Sequence, residues 1–375
     1  MVNQDRLVTL FKELIQINAP ARAERECVDY VKNILSGMGL EVTEDDAGEK
    51  IGGNAGNVIA VHRGNTPGAP TIFLSAHFDT VEPTAGLKII EENGVIRSDG
   101  TTILGADDKG GMAPAIEAIR MLQESGAPHG DIVLAFCVAE EVGLLGAANC
   151  DLKPYHVDFG YVLDTGPPVG TFVTRTATHD KLDVVIKGKP AHSGKDPEKG
   201  INAIKVAAEA ISNMTIGRLG PESTANIGVI EGGTATNVVC PSVKIKGEAR
   251  STSPEEVDRQ ISHMKQCFVD ACEKWGAGLE IDHKRHYGGY TIEDSHPVVQ
   301  IAQTASRKMG FDPALRTTLG GSDANMFNVH GFPSIVIATG MDKIHTHEEE
   351  ISIKDLVDTA QLTYEICLEA AKHRV

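Results

Sequence analysis

Clusters of Asp, Glu and His recur along this 375-residue chain, most of them directly after short apolar runs. In chain order they are HFDT at 77–80, GADDKGG at 105–111, AEEVG at 139–143, LDTG at 163–166 and IHTH at 344–347. Imidazole nitrogens and carboxylate oxygens are ligands that zinc and related divalent ions accept. Because the carboxylates outnumber what one tetrahedral ion needs, the pattern predicts a site for a pair of ions.

The apolar runs are typical of strands, and their ends must lie side by side for such a site to form. Parallel strands of an α/β sheet place the residues that follow them along one shared edge. The runs at 71–76, 131–138, 159–163 and 335–340 therefore predict an α/β fold, with a mixed, mostly parallel sheet flanked by helices. The chain begins with a predicted amphipathic helix, whose apolar face comprises Leu7, Leu10, Phe11, Leu14 and Ile15.

A different order of elements begins near Lys181. Strands predicted at 181–187, 225–231, 243–249 and 279–284, with helices at 202–214 and 254–275, give the order β-α-β-β-α-β. That order is typical of a ferredoxin-like α+β module. Because His345 follows the module, we interpret it as an insertion into the first unit. The first unit is predicted at residues 1–176 and 288–375, and the inserted unit at 177–287.

Composition narrows the class of protein. The formal net charge of -17 argues against nucleic acid and anionic membranes as partners, because both would repel such a surface. The seven cysteines are scattered without a paired or CxxC spacing, which indicates reduced thiols and a cytoplasmic protein. No apolar run approaches the length of a membrane span, and the N-terminal segment lacks the pattern of a signal peptide.

Five motifs carry a resemblance to a known family. HFDTV, GADDKGG, AEEVG, VLDTG and IHTHEEE resemble, in this order, those of the zinc-dependent dinuclear exopeptidases and amidohydrolases, which include aminoacylase, carboxypeptidase G, succinyl-diaminopimelate desuccinylase and peptidase T. The longer string DGTTILGADDKGG is most similar to the peptidase T branch. In the inserted unit, KGKPAHSG and GGTATNVV are similar to the family's lid domain. The resemblance thus implies a discontinuous catalytic domain and an inserted lid and dimerisation domain.

The resemblance implies two metal sites that share one ligand. His77 and Asp164 would hold one zinc ion together with Asp107. Glu141 and His345 would hold the second ion with the same Asp107, which would bridge the two, as a carboxylate with two oxygens can. Mn²⁺ or Co²⁺ could replace zinc in vitro.

The acid–base roles follow from the same resemblance. Glu140 would be the general base, which takes a proton from the water that bridges the ions and hands it to the leaving amine. Asp79 would act on His77, by orienting its ring through a hydrogen bond. Together with the metal ligands, these residues imply hydrolysis of an amide bond.

Simpler interpretations of these residues stay open from the sequence alone. Asp79 could cap a helix, and the pair at 140–141 could be a solvated acidic pair at a helix start. We interpret Asp108 as a residue that shapes its loop rather than as a ligand. His347 competes with His345 as the ligand, since alternate residues of an extended segment share a face.

The inserted unit and one later loop carry candidate substrate-binding residues. By resemblance, His192 stabilises the oxyanion, from its own subunit or from a partner subunit, although the pattern alone suits a surface histidine. Asn237 and Arg250 match lid positions that bind the backbone or carboxylate of the substrate, whereas Arg250 could also be an ordinary surface arginine. The loop Gly320-Gly321-Ser322 is similar to a family loop that lines the substrate pocket, and its serine could instead cap the next helix.

The resemblance therefore implies a metal-dependent exopeptidase that hydrolyses short peptides, with tripeptide aminopeptidase the closest activity. Within the same chemistry, the alternative is an amidohydrolase, a deacylase or a carboxypeptidase. A catalytically silent metal- or peptide-binding relative is the alternative from another class, and it would not need Glu140. The expected partners are short peptides and a second copy of the chain, bound through the lid.

Overall fold

The apolar runs that precede the acidic clusters form neighbouring strands of one eight-stranded sheet in the computed structural model, which describes residues 1–374. The helices are α1 Gln4–Gln16, α2 Arg25–Gly37, α3 Ala47–Ile51, α4 Ala106–Ser125, α5 Ala203–Ser212, α6 Pro254–Trp275, α7 Pro297–Lys308, α8 Asp323–Val329 and α9 Ile353–Ala370. The strands are β1 Glu41–Glu44, β2 Val58–His62, β3 Ile72–His77, β4 Ile89–Glu92, β5 Val95–Ser98, β6 Ile132–Cys137, β7 Phe159–Thr165, β8 Thr171–Thr176, β9 Thr178–Lys187, β10 Gly217–Gly220, β11 Ser223–Gly232, β12 Ser242–Ser251, β13 Gly278–Tyr287, β14 Ala314–Thr318, β15 Ser334–Ala338 and β16 Glu350–Ser352.

The chain divides into two compact units. The first comprises Met1–Thr174, Thr291–Thr317 and the segment from Ser322 onward, and the second comprises Arg175–Tyr290 with Thr318–Gly321. The sequence pattern instead predicts the four residues of this last segment in the first unit. The catalytic and lid roles that the resemblance implies for the two units stay predictions.

The first unit is built around the eight-stranded sheet, in the order β1-β2-β6-β3-β7-β15-β8-β14. Its four central strands, β6, β3, β7 and β15, run parallel to one another. Every residue of β3 and β6 is buried, because both faces of these apolar strands are covered. The five apolar residues predicted for the first helix are also buried, and α1 packs against α4 and α9. The predicted α/β class, with a mixed and mostly parallel sheet, is confirmed.

The second unit has its own sheet and its own core. Five antiparallel strands lie in the order β10-β11-β12-β9-β13, and helices α5 and α6 pack against them around buried residues such as Phe268 and Ile186. The short strand β10 is an addition to the predicted order, because its sequence GRLG shows no alternation that would indicate a strand. The remaining elements follow the predicted β-α-β-β-α-β order.

A small third sheet comprises β4, β5 and β16, three short strands that lie outside the predicted apolar runs. The polar connection at 81–104 contains the hairpin β4–β5, with Asn93-Gly94 at its turn, and β16 pairs with β5. All seven cysteines are free and buried. Within residues 1–374, no helix combines the length and the apolar character that a membrane span requires.

The packing of the parallel sheet leaves no space for a side chain at Gly160 of β7. A Cβ atom there would lie 2.2 Å from the ring of Phe73, which is fully buried and packs edge-on against Phe327. We expect Gly160→Ala to lower the free energy of unfolding by about 1–3 kcal/mol, since an overpacked core must shift. Denaturant unfolding followed by circular dichroism measures the loss.

The matched control is Gly37→Ala at the end of α2, where the new Cβ would meet nothing within 4 Å. This change should be neutral or slightly stabilising, because alanine favours a helix more than glycine does. Equal stabilities for the two variants would contradict the packing described for β7.

Candidate metal centre

The five predicted metal ligands come from separate parts of the chain and meet at one edge of the large sheet. They are His77 at the end of β3, Asp107 in the first turn of α4, Glu141 after β6, Asp164 near the end of β7 and His345 after β15. The parallel strands end at a common edge, so residues distant in sequence become neighbours there. Glu140, the predicted base, precedes one of these ligands and is buried.

Asp107 lies at the centre of the cluster. Its Oδ1 atom is 3.0 Å from Nε2 of His77, and its Oδ2 atom is 3.1 Å from Nε2 of His345. The same nitrogen of His345 is 3.1 Å from Oε1 of Glu141. Each oxygen of Asp107 thus faces a different histidine, which is the arrangement that a bridging carboxylate requires.

Three groups of side chains offer ligand atoms within 4.8 Å of one another. They are His77, Asp107 and Asp164; Asp107, Glu141 and His345; and His77, Glu140 and Glu141. The first two are the sets that the resemblance implies. Their donors, imidazole nitrogen and carboxylate oxygen, suit zinc, so the residues present fit a pair of divalent ions.

The electrostatics of the cluster also favour bound cations. Burial lowers the pKa of His77, but hydrogen bonds with Asp107 and Asp79 outweigh it and raise that pKa well above the ordinary value. Burial, reinforced by the charge of Asp107, raises the pKa of Asp164. Burial and the charge of Asp164 likewise raise the pKa of Glu140. The cluster buries more carboxylates than its two histidines balance, and divalent ions would compensate that negative charge.

Asp79 contacts both the histidine and the segment that carries the base. Nδ1 of His77 is 3.0 Å from the main-chain oxygen of Asp79 and 3.5 Å from its carboxylate. The carboxylate accepts hydrogen bonds from the main-chain N–H groups of Glu140 at 2.9 Å and Glu141 at 3.1 Å. Asp79 caps no helix, and the acidic pair lies in a turn rather than at a helix start. The contacts of Asp79 with Nδ1 of His77 leave Nε2 of that histidine directed at Asp107.

The neighbouring candidates occupy different surroundings. Asp108 accepts a hydrogen bond from the main-chain N–H of His77 at 3.1 Å and belongs to none of the ligand groups found among residues 1–374. His347 is exposed, and its Nε2 atom lies 3.3 Å from the carboxylate of Glu82. The structure therefore brings His345, and not His347, to Asp107.

Sequence reasoning missed two buried glutamates beside the cluster. Glu349 accepts hydrogen bonds from the main-chain N–H groups of Leu104 and Gly105 at 2.8 Å each and of Asp107 at 2.9 Å. Glu24 accepts one from Ala139 at 3.0 Å. Glu349 is the middle residue of a Glu-Glu-Glu run, and nothing in that local pattern marks it as the buried one.

In the second unit, His192 and Asn237 lie close together. The backbone of His192 pairs with that of Val238, and the N–H of Ser193 donates to the carbonyl of Asn237 at 3.1 Å. His192 and Asn237 are both exposed. They lie near the start of β12, where Ser242 pairs with Lys187 of β9.

Arg250 lies near the other end of β12. Its Nε and Nη2 atoms donate to the two oxygens of Glu248 at 3.0 and 3.1 Å, and Nη1 donates to the carbonyl of Leu319 at 3.2 Å. From Ser242 to Arg250 the strand spans roughly 27 Å at about 3.4 Å per residue. The structure thus keeps Arg250 apart from the His192–Asn237 pair.

The loop Gly320-Gly321-Ser322 contains the last predicted residues. In the second unit, a Cβ at Gly321 would lie 2.3 Å from the ring of Tyr287, so only glycine fits beside that ring. In the first unit, Ser322 precedes α8, and its main-chain N–H donates to Oδ1 of Asn325 at 3.1 Å. The serine therefore has the helix-starting position that the sequence left open.

The chain belongs to the peptidase family M20/M25/M40, whose model matches residues 73–369. Within that family it is a peptidase T-like member. It is 42% identical to an aminopeptidase PepT structure from Bacillus cereus ATCC 10987, with a TM-score of 0.91 and 99% of each chain covered. A tripeptidase structure from Staphylococcus aureus is 37% identical, with a TM-score of 0.96 and 100% of each chain covered. Peptidase T from Geobacillus thermodenitrificans is 27% identical over 371 residues, or 88% of each chain.

The different surroundings of the two C-terminal histidines predict different effects on metal binding. His345→Ala should remove about one equivalent of bound metal, because the second ligand set loses its only nitrogen. His347→Ala is the matched control and should keep both ions. Elemental analysis after dialysis measures the stoichiometry. Loss of metal in the His347 variant alone would show that the wrong histidine has been chosen.

Proposed function

We propose that the chain is a tripeptide aminopeptidase that depends on two divalent metal ions, with zinc the preferred metal. The observation that carries the proposal is Asp107, whose two oxygens face different histidines beside the buried carboxyl group of Glu140. The similar proteins from B. cereus and S. aureus, described as an aminopeptidase and a tripeptidase, support the choice of substrate.

Each side chain of the cluster has a role in this proposal. His77, Asp107 and Asp164 would hold one ion, and Asp107, Glu141 and His345 the other. When bound, the ions polarise the scissile carbonyl group and lower the pKa of the attacking water. Glu140 accepts the proton of that water and delivers it to the leaving amine. Asp79 keeps the turn of Glu140 in place by accepting hydrogen bonds from two main-chain N–H groups.

Arg250 is proposed to bind the carboxylate of the peptide. Glu248 accepts hydrogen bonds from Nε and Nη2, and Nη1 donates to the carbonyl of Leu319 and to the hydroxyl of Tyr287. The second N–H of Nη2 is therefore the donor proposed for the substrate carboxylate. Hydrogen bonds from His179 and Arg250 lower the pKa of Glu248 to about 2, so Glu248 stays charged and holds the arginine in one orientation. An arginine held in this orientation favours substrates with a free C-terminus.

We further propose that the enzyme acts as a homodimer through the second unit. His192 and Arg250 lie near opposite ends of β12, and the resemblance allows His192 to act from a partner subunit. Among residues 1–374, the end of β11 pairs only with β12, and apolar side chains beside this edge are exposed, with Ile204 at 46%, Val229 at 39% and Ile230 at 52%. A second copy would cover this edge and supply His192 to its partner.

The proposed activity is tested with one tripeptide in three forms: unmodified, N-acetylated and C-amidated. The unmodified peptide should be cleaved fastest, acetylation should block cleavage and amidation should slow it. Chelation should abolish hydrolysis, and Zn²⁺, Mn²⁺ or Co²⁺ should restore it. Glu140→Gln should keep its metal and lose about 10²- to 10⁴-fold in kcat, the usual contribution of a general base.

Each part of the proposed function would be contradicted by a different result of this test. Faster cleavage of the acetylated peptide would favour the deacylase alternative. Full activity in protein shown to be metal-free would remove the metal ions from the mechanism. Indifference to C-amidation would discard the role of Arg250 alone. Metal binding without hydrolysis of any peptide would identify a silent relative.

The dimer is tested by mixing two inactive variants, His192→Ala and Glu140→Gln. If His192 acts on the partner's site, each mixed dimer contains one intact site, and random exchange should restore roughly a quarter of the wild-type activity. If His192 acts within its own chain, both sites of the mixed dimer stay defective and nothing is restored. Analytical ultracentrifugation provides the control, since a monomer at assay concentration would contradict the proposal directly.

A further inference from the structure

Glu24 is a buried carboxylate that serves a distant part of the chain rather than its own helix. It directly precedes α2, but its side chain forms no capping bond to that helix. Instead, Oε1 accepts hydrogen bonds from the main-chain N–H groups of Arg22 at 2.8 Å and Ala139 at 3.0 Å. The second contact joins two segments 115 residues apart and ends next to Glu140.

The backbone at Ala139 needs this support. Its φ angle is +53°, in the left-handed region that residues with a Cβ usually avoid. The next two N–H groups, of Glu140 and Glu141, point at the carboxylate of Asp79. Three successive N–H groups are therefore held by two buried carboxylates, and Glu24 holds the first of them, at the residue with the least favourable conformation.

We propose that Glu24 is a positioning residue for Glu140. By accepting the N–H of Ala139, it keeps the turn from which the base projects in its left-handed conformation. The inference rests on the proposed role of Glu140 as base. Without the Glu24 contact, Ala139 can relax toward ordinary φ angles, and that rotation displaces the carboxyl group of Glu140 from the attacking water. Small displacements of a catalytic group are costly to the rate even when the fold is intact.

The test compares the effect of the side-chain length of Glu24 with the effect of its charge. Glu24→Gln keeps an oxygen at the same distance but removes the charge, whereas Glu24→Asp keeps the charge and withdraws the oxygen by one methylene. A positioning role predicts that the Asp variant loses about 10- to 100-fold in kcat, with KM and metal content unchanged. The Gln variant should stay within a few-fold of wild type. Glu26→Gln, at an exposed position of the same helix, is the matched control and should not differ from wild type.

A double-mutant cycle with Glu140→Gln shows whether Glu24 acts through the base. In that background Glu24→Asp should cost little more, because the group that it positions is already disabled. The inference is overturned if the Asp variant keeps its kcat, if the Gln variant is the weaker of the two, or if the two losses multiply. Near-native activity of Glu140→Gln itself would instead remove the proposed base, an outcome that the single variants of Glu24 do not produce.

Discussion

The arrangement of the site depends on one carboxylate, which contacts two histidines that are distant in sequence. Asp107 lies 30 residues from His77 and 238 residues from His345 in sequence, yet its two oxygens contact one nitrogen of each. Such a meeting requires the end of β3, the start of α4 and the segment after β15 to be fixed within hydrogen-bond distance. The parallel sheet fixes the first of these, and Glu349 fixes the second by binding the N–H group of Asp107.

This constraint explains why so many buried acids surround the site. Asp79, Glu24 and Glu349 bind main-chain N–H groups of the segments that carry Asp107 and Glu140, so they act on position rather than as ligands. Each such contact replaces the hydration that a buried carboxylate loses. Burial, reinforced by the charges of Asp107 and Asp164, raises the pKa values of Asp164 and Glu140, and bound cations would compensate the negative charge of the site.

A feature of this structure can be predicted from the sequence when neighbouring residues alone determine it. Most of the ligand clusters were predictable because they follow apolar runs, and parallel strands bring the ends of such runs together. Burial of Glu349 was not predictable, since Glu348 and Glu350 have the same chemistry and only the folded loop distinguishes them. The separation of His192 from Arg250 was also hidden, because it depends on the ends of β12 near which the two residues lie.

The hairpin at 89–98 and the strand β10 also could not be predicted from their local sequences. Their strands are 4 residues long, too short for a clear alternation, and each pairs with a neighbouring strand that supplies hydrogen bonds. The two histidines of the C-terminal motif were distinguishable only by family resemblance, since an extended segment would present both on one face. In the structure, His345 has a φ angle of +62°, which breaks that alternation and turns the two side chains to different neighbours.

The segment from His345 to Glu349 also limits how the gene can vary. Its first residue contacts Asp107 through the side chain, its last residue binds the main chain of Asp107, and the three residues between them are exposed. The composition of the middle of this segment is therefore free to drift. Its length is fixed only to within one codon, because one inserted or deleted codon would still place a glutamate at the position of Glu349. Two such codons would place His347 or Ile351 there and remove the contact with the main chain of Asp107. Related genes should consequently keep the length of this segment to within one codon.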